Sequence, residues 1–144
     1  MTGTGKYEAL LERCRGLEPV PTAVAHPCEE TALAGAMEAA AKGLIVPILV
    51  GPAARIQEIA KKAGIDLGNT TIVDAPHSVA SAAKAVALVR EGKAELLMKG
   101  SLHSDEILSA GVAKETGLRT GRPISHVFIM DVPTYHKVLI VTDG

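Results

Sequence analysis

Lys99-Gly100-Ser101 is the stretch best placed to do chemistry. It follows an apolar run, Leu96-Leu97-Met98, and precedes a helix-like pattern that begins near Ser104. Lys99 supplies a cation, Gly100 lets a backbone approach a bound group closely, and the N–H groups of such a turn can meet an anion. In an open α/β sheet, ligands sit outside the carboxyl ends of the strands. A strand, a glycine turn with a lysine and a helix start therefore make a candidate anion site. Asp105 and Glu106 already stand in the helix's first turn, where they complement its dipole themselves. The competing reading is an ordinary β-to-α turn with a solvated lysine. A second candidate runs from Gly117 to Pro123, where Arg119 and Arg122 flank Thr120-Gly121. Arginine offers a planar fork of donors that matches phosphate; a solvated basic loop is the alternative. Ser125 and His126 follow at once, on the first residues of a strand-like run.

Other chemistries lack their residues. The histidines are His26, His77, His103, His126 and His136, and none forms H-E-x-x-H, so a metal site has no support. His103, inside the first loop, suits either acid–base work or helix capping. His126, on an apolar strand, reads as half-buried and hydrogen-bonded. No serine lies in G-x-S-x-G. The Walker pattern is absent, and neither Gly51-Pro52 nor Gly3-Thr4-Gly5 completes G-x-G-x-x-G.

These residues need a scaffold. A chain of 144 residues is the size of one domain. Hydrophobic residues make up 47% and aromatics 2%, so the core must be built from Val, Ile, Leu and Ala, which suits helices packed on a parallel sheet. A net charge of −1 and scarce aromatics argue against a nucleic-acid partner. Cys14 and Cys28 form no C-x-x-C and read as free thiols in a reducing cytoplasm. No run approaches the roughly 18 apolar residues of a membrane span, and the charged start, MTGTGKYEALLERC, is no secretory signal.

Periodicity and stop signals predict helices over Lys6–Arg15, Glu29–Lys42, Ala53–Ala63, Ser78–Glu91 and Asp105–Glu115. Strands are predicted over Thr22–Ala25, Val46–Val50, Thr71–Val73 and Glu95–Met98, with His26-Pro27 breaking the first. The alternation is the βαβ rhythm of a parallel sheet with helices on both faces. After Gly117 it changes. Ile124–Val132 and Lys137–Thr142 are strand-like and close together around Pro133, which predicts an antiparallel hairpin. Val138–Val141 runs into Thr142-Asp143-Gly144, where a ligand loop would be expected to begin. Either the sequence is truncated there or Asp143 and Gly144 form a free tail.

MKGSLHSDEIL, AKETGLRTGRPISHVFIMDVP and KVLIVTDG resemble the phosphate acetyltransferase and phosphate butyryltransferase family, most closely its butyryltransferase-like form. PILVGPAARI after an Ala-rich helix is similar too. The resemblance covers about Thr22 to Gly144 and corresponds to the first half of such proteins. It implies a Rossmann-like three-layer α/β sandwich of the isocitrate/isopropylmalate dehydrogenase-like type. Residues 1–144 would be a single α/β domain, the first part of a two-domain cleft enzyme whose second domain is absent. It implies a cytoplasmic homo-oligomer, commonly a dimer, with no metal, no nucleic acid and no membrane. The partners it implies are acyl-CoA and inorganic phosphate, with an acetyl or butyryl group moving between them. Coenzyme A would be substrate or product, and no other cofactor is implied. In that reaction phosphate attacks a thioester carbonyl, so cations and donors must hold phosphate and the developing oxyanion. The matching positions make Lys99, Ser101 and His126 the catalytic candidates. Lys99, Gly100, Arg119, Arg122 and Ser125 are the substrate-binding ones. A second reading is a non-catalytic binding or assembly domain that kept the fold. A third, a metal- and nicotinamide-dependent decarboxylating dehydrogenase, needs clustered aspartates for Mg²⁺, and only Asp131 and Asp143 come late in the chain.

Overall fold

A computed structural model describes residues 5–142. Asp143 and Gly144, where either truncation or a free tail is expected, lie outside the described residues, as do Gly3 and Thr4. In chain order the elements are α1 (Lys6–Cys14), β1 (Val20–Ala25), α2 (Glu30–Ala41), β2 (Ile45–Gly51), α3 (Ala53–Ala63), β3 (Thr71–Asp74), α4 (Ser78–Arg90), β4 (Leu96–Lys99), α5 (Ser104–Val112), β5 (Val127–Met130) and β6 (Leu139–Thr142). Contacts gather them into two units, Glu18–Arg119 and Met1–Leu17 with Thr120–Gly144.

The first unit is an α/β fold. Its four strands are parallel and lie in the order β3-β2-β1-β4. The chain winds from β1 outward to β3, then returns past β1 to β4. Right-handed crossovers in opposite directions place their helices on opposite faces. Side chains along β1 alternate between those faces. Val24 packs with Leu33 and Ala36 of α2, Leu49 of β2, and Ile56 and Ala60 of α3. Ala23 and Ala25 pack with Ala82 and Ala85 of α4, Val50, Leu102 and Ile107 of α5. The expected layers are therefore present: two helices, a sheet, two helices. α4 lies against β1 with small side chains on both sides, Ala82 and Ala85 meeting Ala23 and Ala25.

Stop signals act as read. Gly64 ends α3 in the left-handed conformation, with φ 68°, which costs glycine no steric clash. α5 is the exception among the helices. It was expected to reach Glu115 and stops at Val112. The Leu118 N–H takes the Gly111 carbonyl at 2.7 Å and the Gly117 N–H takes that of Ala113 at 3.0 Å. The turn tightens around Gly117, where a Cβ would stand 2.5 Å from the Gly111 oxygen.

In the second unit β5 and β6 pair antiparallel as a sheet of their own, with Phe128 opposite Val141 and Ile129 opposite Ile140. Both are shorter than their apolar runs, and every residue in them is exposed. α1 buries no residue completely, although Leu10, Leu11 and Cys14 share a face. Its Lys6 ammonium meets the Asp131 carboxylate at 3.1 Å and the carbonyls of Val132 at 2.8 Å and Tyr135 at 2.5 Å. No helix among the described residues is long and apolar enough to cross a membrane.

Candidate functional site

Reversal of the winding direction makes the carboxyl ends of β1 and β4 a topological switch point, the place where open α/β sheets have their ligand crevice. β1 runs into His26-Pro27-Cys28 and β4 into Gly100-Ser101. The two loops are laced together. The Gly100 N–H donates to the Ala25 carbonyl at 2.8 Å, and the Ser101 N–H to the His26 carbonyl at 2.8 Å. The Ser101 hydroxyl donates to that same His26 carbonyl at 2.8 Å and accepts the Cys28 N–H at 2.9 Å. Gly100 is required here. A Cβ on it would stand 2.5 Å from the His26 carbonyl oxygen and 2.7 Å from its carbon. The close approach inferred for Gly100 is thus to the protein's own backbone. Ser101 is a fastening between two loops, its proton and one lone pair already committed.

Lys99 ends β4 with an exposed side chain. Its ammonium lies 3.4 Å from the Gly100 carbonyl, and it enters no ion pair among the described residues. An unpaired cation at a switch point is what an anionic ligand requires.

His26 is the residue that sequence reading missed. It is the described non-glycine residue with positive φ, at 57°. That conformation costs a side-chain-bearing residue roughly 1–3 kcal/mol and persists where its surroundings fix it. Here they do. The His26 N–H donates to the Val50 carbonyl at 2.7 Å, and its own carbonyl takes three donors, from Cys28 N, Ser101 N and the Ser101 hydroxyl. Only 8% of the residue is exposed. Its Nδ1 lies 3.0 Å from the Ser81 hydroxyl of α4. Burial, and then the Arg55 guanidinium, push the His26 imidazole below its ordinary pKa, with Glu106 opposing and His77 adding to the shift. In sequence, His26-Pro27 after an apolar strand signalled only a break.

The rest of the carboxyl edge follows from the βα turns. His77 caps α4, its Nδ1 accepting the Ala80 N–H at 3.2 Å. Glu106, in the first turn of α5, accepts the Ser78 hydroxyl at 2.7 Å and the N–H of His103 at 3.0 Å. The Ser78 bond foremost holds the Glu106 carboxyl below its ordinary pKa. His103 is the exposed residue preceding α5. Cys28 is buried, and burial raises its thiol pKa.

The remaining candidates divide between the units. Arg119 is exposed at the end of the first. Arg122, Ser125 and His126 belong to the second. The Arg122 N–H donates to the Thr120 hydroxyl at 3.3 Å. Ser125 and His126 precede β5 and do not begin it, and His126 is exposed, not half-buried, with its ring edge-on to Phe128 at 5.1 Å. The His126 carbonyl accepts the Thr142 hydroxyl of β6 at 2.9 Å, and the ring stays exposed.

The described residues thus include a parallel α/β unit with an unpaired lysine at its switch point. No protein-family model matches the chain. It is 58% identical over 139 residues to the phosphate acetyltransferase of Rhizobium meliloti, covering 96% of this chain and 44% of that relative. It is 36% identical over 138 residues to the phosphate butyryltransferase of Clostridium beijerinckii, covering 96% of this chain and 46% of that relative. A phosphotransacetylase from Streptococcus pyogenes shares the fold, with a TM-score of 0.73 at 16% identity over 93% of this chain and 49% of that one. In sequence, then, the chain is similar to phosphate acetyltransferases and phosphate butyryltransferases, and it spans about half the length of the curated relatives it matches. Identity is higher to the acetyltransferase than to the butyryl form its motifs resemble.

Proposed function

We propose that the chain is part of a phosphate acyltransferase, which exchanges an acyl group between coenzyme A and inorganic phosphate. The observation that carries this is 58% identity over 96% of the chain to a phosphate acetyltransferase. The switch point between β1 and β4 supports it, because an unpaired Lys99 stands there beside a loop that Gly100 lets close onto the β1 loop. In this reading Lys99 holds phosphate and stabilises the oxyanion formed when phosphate attacks the thioester. Gly100 and Ser101 shape the loop. Arg119 and Arg122 meet phosphate groups of the substrates, and Ser125 and His126 donate hydrogen bonds. The fold is read as the Rossmann-like, isocitrate/isopropylmalate dehydrogenase-like type. The enzyme would be a cytoplasmic oligomer, in keeping with free Cys14 and Cys28.

The test is thiol release from acetyl-CoA and butyryl-CoA on adding phosphate. Release should depend on phosphate. Lys99→Ala should raise the phosphate KM about tenfold to a hundredfold, since a charged hydrogen bond contributes roughly 1.5–3 kcal/mol. Arg119→Ala and Arg122→Ala should each raise the KM for phosphate or coenzyme A; constants unmoved beyond about twofold would make their loop a solvated turn. A second reading is a non-catalytic binding or assembly domain that kept the fold. Absence of thiol release with either acyl-CoA would favour that one.

A further inference from the structure

The Ser81 hydroxyl has one proton, and it donates that proton to the His77 carbonyl at 2.8 Å. At His26 Nδ1, 3.0 Å away, the same hydroxyl can therefore act only as acceptor. The proton of that bond belongs to His26 Nδ1. A neutral imidazole with its proton on Nδ1 carries a lone pair on Nε2. No second partner binds this ring among the described residues. No buried side-chain nitrogen or oxygen among them lacks a hydrogen bond either. Nε2 must therefore reach solvent, although only 8% of the residue is exposed. It does so one residue past the end of β1, at the edge where Lys99 stands unpaired.

We propose that His26 is the proton acceptor of the β1/β4 crevice, its Nδ1–H fixed on Ser81 and its Nε2 offered to the acidic proton of a monohydrogen oxyanion such as phosphate. The left-handed backbone is what aims the ring. Three backbone–backbone hydrogen bonds, the Ser101 hydroxyl and the Ser81 contact hold a conformation that a histidine would otherwise leave. The charged groups around it favour the neutral form on balance. Burial, the largest influence, opposes a second proton together with Arg55 and His77, and only Glu106 favours one. A neutral acceptor in the field of the Arg55 guanidinium suits an anion that still carries a proton.

This inference rests on the acyltransferase reading for its substrate. There, the proton of monohydrogen phosphate passes to Nε2 as a phosphate oxygen bonds to the thioester carbonyl carbon. The carbon–sulfur bond breaks, and Nε2 returns the proton to the departing thiolate. Acyl phosphate and free coenzyme A thiol result, the imidazole is again neutral, and nothing is oxidised or reduced.

Long-range proton–nitrogen NMR of the 144-residue chain, titrated with inorganic phosphate, tests it. The expected spectrum at pH 7.5 shows His26 as the Nδ1–H tautomer, with an Nε2 resonance that moves saturably. His26→Asn keeps a side-chain donor for Ser81 and tolerates the left-handed backbone, but lacks Nε2. It should weaken phosphate binding at least tenfold. An Nε2–H tautomer, an Nε2 resonance unmoved by phosphate, or His26→Asn binding within twofold of the parent would each overturn the proposal. If the variant fails to fold, the parent's tautomer and titration decide alone. Thiol release separates the two readings. Release with a silent His26 retains the acyltransferase and removes this role. A responsive His26 without release retains the proton-accepting anion site and removes the acyltransferase.

Discussion

Gly100 and Ser101 draw the β4 loop onto the β1 loop, and each should register in stability before it registers in chemistry. Gly100→Ala pushes a Cβ into the His26 carbonyl, so either the loops part or the strands shift. Overpacking of this kind costs about 1–3 kcal/mol, and a urea melt of the chain should show at least that loss. Ser101→Ala removes two hydrogen bonds. The Cys28 N–H keeps the His26 carbonyl at 2.9 Å, which limits the damage to about 1–3 kcal/mol. An alanine as stable as serine there would mean that the fastening is idle and the hydroxyl free for other work. His26 makes stability depend on pH with a definite sign. Its folded pKa lies below the ordinary 6.5, so the unfolded chain binds the proton first. The contribution is therefore fully present above pH 6.5 and is lost as pH falls through the folded value. Urea midpoints between pH 8 and 5 should fall more steeply for the parent than for His26→Asn, and parallel slopes would deny the histidine that role. The buried Cys28 thiol, raised in pKa, should resist alkylation in the native chain until after Cys14 has reacted.

At the scale of elements, α4 shows how composition became architecture. Its buried line, Ser81, Ala82, Ala85 and Val86, is small enough to lie close on Ala23 and Ala25 of β1. The same closeness brings Ser81 within reach of His26. Ala85→Leu should therefore cost about 1–3 kcal/mol and disturb His26. Ala83→Leu, on the exposed side of the same helix, should stay within about 0.5 kcal/mol. Denaturant melts of the two variants compare them directly. Most of this layer was legible in the sequence. Apolar runs ended by Gly43, Gly64 and Gly92 marked the elements, and the change of rhythm after Gly117 marked the antiparallel pair. Strand order was not legible, because periodicity says which residues face a core but not which strand lies next to which. Lys99 could be placed at the end of a strand because a cation after an apolar run is a local signal, although β4 is only half-buried. His26 was not, because its meaning depends on Ser81, 55 residues away, and on a backbone angle that no residue type near it announces. His126 was misjudged for a related reason. An apolar run implies burial only when another layer exists to bury it.

That last point governs the whole molecule. β5 and β6 are apolar on both faces apart from Thr142, and all their residues are exposed, Ile140 to 69%. Val127, Ile129 and Ile140 share one face, and Phe128, Met130, Leu139 and Val141 share the other. A two-stranded pair is marginal by itself in water, and its outer edges remain open to pairing with another chain. Contiguous apolar surface beyond a few hundred Å² marks an interaction site. The curated relatives are about twice as long as this chain, so each carries residues that it does not. With only copies of itself present, the 144-residue chain should associate through this hairpin, a second copy covering what the first exposes. Sedimentation velocity over a concentration series should show the sedimentation coefficient rising with concentration. Ile129→Lys with Ile140→Lys places two like charges opposite each other on one face and should abolish the rise. Phe128→Lys with Val141→Lys does the same on the other face, and the pair with the larger effect identifies the covered side. A parent chain that stays monomeric at every concentration would show that the hairpin's exposed apolar surface does not drive association.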